Sequence, residues 1–374
     1  MKDIAYGNNM MRKITLLCCF YFALFSSFCN IAWSESEEDQ NLEHFNVGYK
    51  VLDFQYLKDK NASVITVAVW YPTKANPERF HYAGSTYGNV TINAEPFAGG
   101  RPYPLLVFSH GYGGSGLSAT FFTEALAAHG WIVVAPDHHD KHSAVRIRTG
   151  QTKNFDRSDF LKYAKHISNS NVNNREAYMY RLDEMKFVLD SIIDSESFGK
   201  LIDREKIAVG GHSFGGFTAL GLSGTIKERY DARIKGVLIF SSGAAGYLFR
   251  ESELATVRVP SMFFLGERER KQKRGTKTMT ELAEKVYRNL LPPKYFLEVK
   301  GATHFSFNNR LTKNLASRFL SGNEEQFEVI RRYSIAFLEK YVAGKKISSD
   351  VLENQDPYLT RYTRETSRAG SGQQ

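Results

Sequence analysis

The chain has 374 residues, 42% hydrophobic, 13% aromatic and 24% charged, which excludes a wholly disordered, collagen-like or low-complexity protein. Lysine and arginine total 49 against 40 acidic residues, a formal charge of +9. That excess is dispersed along the chain, so a nucleic-acid partner is not expected.

In chain order, the first element is a targeting segment. Arg12 and Lys13 precede a charge-free stretch over 14–34, and Ala32-Trp33-Ser34 offers a small-x-small cleavage site before Glu35-Ser36-Glu37-Glu38. All three cysteines, Cys18, Cys19 and Cys29, fall inside it. Residues 1–34 therefore read as a secretory signal peptide, with Met11 as an alternative start. A retained membrane anchor is the competing reading, but the dense apolar part ends near Phe25. The expected mature chain is exported, periplasmic or secreted, and free of thiols.

From residue 35 onward, short β-type runs alternate with helical ones. This is the pattern of an α/β protein with a mainly parallel central sheet and helices on both faces. Residues 46–57 and 63–71 read as an opening antiparallel pair. Residues 104–109 and 131–136 are continuous apolar runs suited to buried parallel strands, separated by a helix over 117–129 that ends at Gly130. A helix over 175–193, a strand over 206–210 and a helix over 214–222 follow. Strands over 234–240 and 261–265, a helix over 281–291, a strand over 294–299 and a helix over 324–341 complete the series. One domain over 35–345 accounts for them. Residues 75–101 and 138–172 show no clear period and read as long loops, either functional caps or disordered. Residues 346–374 read as a loose polar extension.

Gly211-His212-Ser213-Phe214-Gly215-Gly216 joins a strand to a helix. A serine on such a sharp turn needs glycines on both sides, because a Cβ there would clash where the helix passes close. Ser213 is thus a candidate nucleophile. Ser109-His110-Gly111-Tyr112-Gly113-Gly114 also follows a strand, and acyl transfer needs two backbone N–H donors for the developing oxyanion. Phe214 and Tyr112 are the candidates.

In this arrangement the acid and then the base follow the serine in sequence. His304, in Gly301-Ala302-Thr303-His304-Phe305, is the single histidine after Ser213. The acid is expected in Gly266-Glu267-Arg268-Glu269-Arg270, with Glu269 preferred and Glu267 as the alternative. Asp137-His138-His139-Asp140-Lys141-His142 holds three histidines and two aspartates. Its spacing does not match the H-x-H-x-D-H pattern of metallo-hydrolases, so it reads as a hydrophilic loop. No metal and no cofactor is expected.

These segments, together with Val69-Trp70-Tyr71-Pro72-Thr73 and Ala135-Pro136-Asp137-His138, resemble the α/β-hydrolase superfamily. Within it they are similar to bacterial platelet-activating-factor acetylhydrolases and dienelactone-hydrolase-like serine esterases, over about residues 67–338. The resemblance implies an α/β-hydrolase fold and an ester hydrolase working through an acyl-enzyme. It also implies short-chain esters, or acetylated or oxidised phospholipid-like molecules, as substrates. There are two departures. Dienelactone hydrolases carry cysteine where this chain has Ser213. The acetylhydrolases often place the acid after their sixth strand, where this chain reads Phe240-Ser241-Ser242-Gly243. A lipase or polyester hydrolase, and a non-catalytic binding protein, are the alternatives on the same fold. The expected partner is a small-molecule ester or lipid, and the basic loop over 268–277 is a candidate for peripheral membrane contact.

Overall fold

A computed structural model describes residues 44–58, 61–313, 321–345 and 350–366, so the expected signal peptide and its cleavage site lie outside the described residues. In chain order the strands are β1 (Asn46–Lys58), β2 (Asn61–Thr73), β3 (Glu78–Ala83), β4 (Thr86–Ile92), β5 (Tyr103–Ser109), β6 (Ile132–Pro136), β7 (Val145–Arg146) and β8 (Gly150–Gln151). They continue with β9 (Ile202–His212), β10 (Ile234–Phe240), β11 (Ser261–Gly266), β12 (Lys273–Arg274), β13 (Lys277–Thr278), β14 (Lys294–Val299) and β15 (Leu359–Glu365). The helices used below are α1 (Thr120–Ala128), α2 (Arg157–Ser168), α3 (Tyr180–Ile193), α4 (Phe214–Leu220), α5 (Gly243–Leu248), α6 (Glu251–Leu254), α7 (Met279–Asn289) and α8 (Glu324–Leu338).

Among the described residues, eleven strands form one sheet in the order β15-β14-β11-β10-β9-β5-β6-β2-β1-β4-β3. The six from β14 to β6 run parallel, as the alternation of strand and helix predicts. Every residue of β5, β6, β11 and β14 is buried, which is why these strands read as continuous apolar runs rather than alternating ones. The period-2 side-chain direction sends Leu105 and Val107 into one core and Leu106 and Phe108 into the other. The first core is closed by α3, α4 and α7 through Leu182, Met185, Phe217 and Val286. The second is closed by α1 and α8 through Phe122, Leu126, Ile330 and Phe337.

Four stretches differ from the sequence reading. Residues 75–101 contain the β3–β4 hairpin, fastened to the core side by buried Trp70, whose indole N–H donates to Tyr82 at 2.9 Å. Residues 138–172 contain the β7–β8 hairpin and α2, the latter started by Asp156, whose side chain accepts from the Asp159 N–H at 2.9 Å. The expected loose tail also changes status, because β15 pairs antiparallel with β14 and is the edge of the sheet. Its polarity belongs to an edge strand. Tyr362 packs on Tyr295 and Tyr333, while Arg361 lies over the Phe296 ring and pairs with Glu284. The expected helix over 175–193 is a 3-10 segment (Val172–Tyr178) followed by α3.

The parallel direction has one consequence for chemistry. The carboxyl ends of β5, β9, β10, β11 and β14 all open on one edge of the sheet. There they deliver His110, Ser213, Ser241, Glu269 and His304.

Candidate active site

Ser213 stands between β9 and α4 with φ 54° and ψ −114°, a conformation that a non-glycine residue adopts only when its surroundings enforce it. The enforcement is visible. The Ser213 N–H donates to the Phe240 carbonyl at 2.8 Å, and the Ser242 hydroxyl donates to the Ser213 carbonyl at 2.5 Å. A Cβ on Gly215 would collide with the Ser109 carbonyl, and one on Gly211 with the backbone of Gly215. Both glycines are needed for the close approach of strand, turn and helix.

His304 begins a short 3-10 turn after β14, capped by the Thr303 hydroxyl. Its Nε2 lies 2.9 Å from Ser213 Oγ, and its Nδ1 lies 3.1 Å from Glu269 Oε2. Glu269 is fully buried, and its Oε1 accepts the Gly266 N–H at 2.7 Å. Glu267 has a different partner, accepting the Gly301 N–H at 2.7 Å. The structure therefore brings Ser213, His304 and Glu269 into line and leaves Glu267 bracing the loop that carries the histidine. His212 adds a second brace, its Nε2–H donating to the His304 carbonyl at 2.9 Å. Burial, reinforced by the neighbouring His304, holds the His212 imidazole neutral, well below the ordinary histidine range.

The 110–114 loop packs directly against this line, since a Cβ on Gly111 would sit 3.2 Å from Ser213 Cβ. Its conformation is fixed from behind. His110 Nδ1–H donates to the Gly111 carbonyl at 2.6 Å, the Gly114 N–H donates to the same oxygen at 3.0 Å, and Arg181 donates to the His110 carbonyl at 2.7 Å. A planar trans peptide carries its N–H opposite its C=O. Holding Gly111 O on the Arg181 side therefore turns the Tyr112 N–H the other way. The Phe214 N–H opens α4, in the first turn, where backbone donors lack an acceptor within the helix.

Arg181 is fully buried and makes a two-point pair with Asp140, Nε to Oδ1 at 2.9 Å and Nη2 to Oδ2 at 2.6 Å. Asp140 also accepts from the Tyr180 hydroxyl at 2.7 Å and the Gly113 N–H at 3.3 Å. Burial opposes ionisation of Asp140, but the charge and hydrogen bonds of Arg181 outweigh it and hold the carboxyl well below its usual range. His138 joins Ser109 Oγ to Glu184 at 2.8 Å on each side, and His139 meets the other Glu184 oxygen at 2.8 Å. Asp137 accepts from Ser115 Oγ and from the Gly116 and Ile147 N–H groups. Asp137, His138 and Asp140 thus form a buried truss under the 110–114 loop, with His139 its exposed member, where composition leads one to expect a wholly hydrophilic loop.

Tyr112 faces α2. Its ring stacks on Phe160 at 5.6 Å and 4°, lies 5.4 Å from Tyr163, and meets Phe214 edge-on at 6.4 Å. Sequence reasoning missed Ser241, Ser242, Arg181 and Glu184. The last two carried a signal, because both fall on the apolar stripe of α3, where an unpaired charge is not tolerated.

The sheet order and the site on its carboxyl edge define the α/β-hydrolase fold. A solved ferulic acid esterase from Streptomyces cinnamoneus matches that fold with a TM-score of 0.64 at 19% identity, covering 85% of this chain and 97% of its own. A family model for platelet-activating factor acetylhydrolase, isoform II, matches residues 77–355, and the chain belongs to that family. The platelet-activating factor acetylhydrolase of Cavia porcellus is 26% identical over 292 residues, covering 70% of this chain and 63% of the relative. That of Canis lupus familiaris is 37% identical over 157 residues, covering 36% and 35%. The match thus spans less than two thirds of the length of either relative. The expected fold class and the acetylhydrolase resemblance both hold.

Proposed function

We propose that the chain is a serine carboxylic ester hydrolase acting through an acyl-enzyme. The observation that carries this reading is His304, with Nε2 at 2.9 Å from Ser213 Oγ and Nδ1 at 3.1 Å from a fully buried carboxylate. In the reaction, Ser213 Oγ attacks the ester carbonyl while His304 Nε2 takes its proton. Glu269 orients the imidazole and stabilises the imidazolium. The Tyr112 and Phe214 N–H groups hold the oxyanion. His304 then protonates the leaving alcohol, and a water activated by the same Nε2 releases the acid.

The substrates are short-chain esters, including acetylated or oxidised phospholipid-like molecules. Two things support this: the family, and the ring stack of Tyr112, Phe160 and Tyr163 beside the nucleophile, a short apolar wall. Export rests on the composition of residues 1–34.

Ser213→Ala should lower hydrolysis of p-nitrophenyl acetate by at least about 10³-fold and abolish labelling by a fluorophosphonate probe. Retained activity in that variant overturns the assignment. A p-nitrophenyl ester series from acetate to palmitate should peak at the short end; a peak at long chains would replace this substrate class with that of a lipase.

A further inference from the structure

Away from the catalytic line, α1, α8, the start of β1 and β4 enclose a cavity of about 590 Å³, a size that suits a small organic molecule. None of Ser213, Glu269, His304 and Tyr112 lines it. Its apolar side is Phe121 and Phe327, stacked at 4.0 Å and 16°. Thr120 and Glu124 also line it, and four residues apart on α1 they are neighbours on one face of the helix.

Glu124 is a carboxylate without a cation. Its Oε1 accepts the Asn89 N–H at 2.9 Å and its Oε2 the Tyr82 hydroxyl at 3.0 Å. Burial pushes the carboxyl up, and among the described residues no positive neighbour pulls it down. The rest of the wall does not supply one. Arg331 is taken up by Glu324 and Glu328, while burial, with His129 beside it, lowers His44 towards the neutral imidazole. Fastening the β3–β4 hairpin does not require the charge either. A glutamine amide at 124 would accept the Asn89 N–H through Oε1 and donate to the Tyr82 oxygen through Nε2.

Thr120 gives an independent sign. It is 2% exposed, and its Oγ1 has no hydrogen-bond partner among the protein groups described. Buried polar atoms are nearly always paired, so this one asks for a donor from the cavity. One carboxylate and one hydroxyl are too few ligands for a metal ion. A primary ammonium fits, because it brings the missing charge and three N–H donors for Glu124 and Thr120 to accept. The Phe121–Phe327 pair gives its apolar body a surface to lie against.

We infer that this cavity is a binding site for a primary amine with a small apolar body, its ammonium held by Glu124 and Thr120. The site is separate from Ser213 and does not depend on the ester-hydrolase reading.

The test is isothermal titration of the full chain with phenethylammonium chloride and with its neutral counterpart, 2-phenylethanol, before and after a fluorophosphonate has capped Ser213. The ammonium should bind at one site with Kd below about 1 mM, unaffected by the cap. The alcohol should bind at least about tenfold more weakly. Glu124→Gln should weaken the ammonium by at least about tenfold, and Thr120→Val, which keeps the shape and removes the hydroxyl, by about threefold. No binding up to about 10 mM, equal affinity for the alcohol, or loss of binding on capping overturns the site. So does an unchanged Kd in Glu124→Gln. Where that variant lowers the melting temperature, the comparison of ammonium with alcohol on the wild-type chain still decides, since it needs no substitution.

Discussion

Glu267 and Glu269 lie two residues apart and serve different partners, because the 3-10 turn Glu267–Glu269 folds Glu269 back under its own strand. Its Oε1 takes the Gly266 N–H, which leaves Oε2 for Ser241 and His304. Glu267 reaches Gly301, three residues before the histidine. Glu269→Gln should therefore lower kcat by about 10³-fold, since the amide disturbs the tautomer of His304. Glu267→Gln should cost less than about tenfold, through loosening of the 301–304 loop. Kinetics on both variants decide between the two acids; the reverse ranking would reassign the triad. The serine and histidine were legible because their turn and strand flanks are local features. The choice between two glutamates was not, because it depends on a hydrogen bond to Gly266 that no spacing rule expresses. Ser241 was less legible still. A serine after a strand is common, and its meaning comes only from β11 beside it and β14 one strand beyond.

At the level of elements, α2 shows why period alone failed over 138–172. Its apolar residues Phe160, Tyr163, Ala164 and Ile167 do keep helical spacing, but they span only two turns of an otherwise polar segment and Ile167 alone is buried. What holds it at the site is the stacking of Phe160 and Tyr163 on Tyr112, contacts that join residues about fifty positions apart. β15 was hidden for a different reason: the Arg361 guanidinium lies over the Phe296 ring, and Arg361 and Arg364 pair with Glu284 and Glu353, so an ordered edge strand reads in sequence as a polar tail. If the α2 stack limits the acyl pocket, removing one ring should lengthen it. Phe160→Ala is expected to raise the ratio of kcat/KM for p-nitrophenyl octanoate over acetate by about threefold to tenfold. An unchanged ratio would mean that the stack is packing only.

For the whole molecule, the buried histidines set how stability depends on pH. His110, His138 and His212 are each held below the ordinary histidine range, by burial first and by neighbouring Arg181 or histidine second. Below about pH 6.5 the unfolded chain binds protons at these positions that the folded chain does not. Stability must then fall with pH, by about 1.4 kcal/mol per pH unit for each imidazole still neutral in the fold. His139 has the opposite sign. Its hydrogen bond to Glu184 raises it, so its contribution is complete below the unfolded value and is lost as pH rises through the folded one. Glu184 adds an acid-side loss: burial opposes its ionisation, but hydrogen bonds from His138 and His139 outweigh that and hold it at about 2. Its contribution is present above about pH 4.5 and disappears as pH falls towards 2. The signs combine to a stability maximum near neutrality, with a steep decline from pH 6.5 to 5. Urea unfolding at pH 7, 6 and 5 should show the midpoint dropping at each step with the slope m unchanged. Removing one neutral imidazole by His212→Gln should make that decline shallower by about 1.4 kcal/mol per pH unit. A midpoint flat between pH 7 and 5 would mean that the truss under the 110–114 loop admits protons, and that the loop it supports is not held in the single conformation seen beside Ser213.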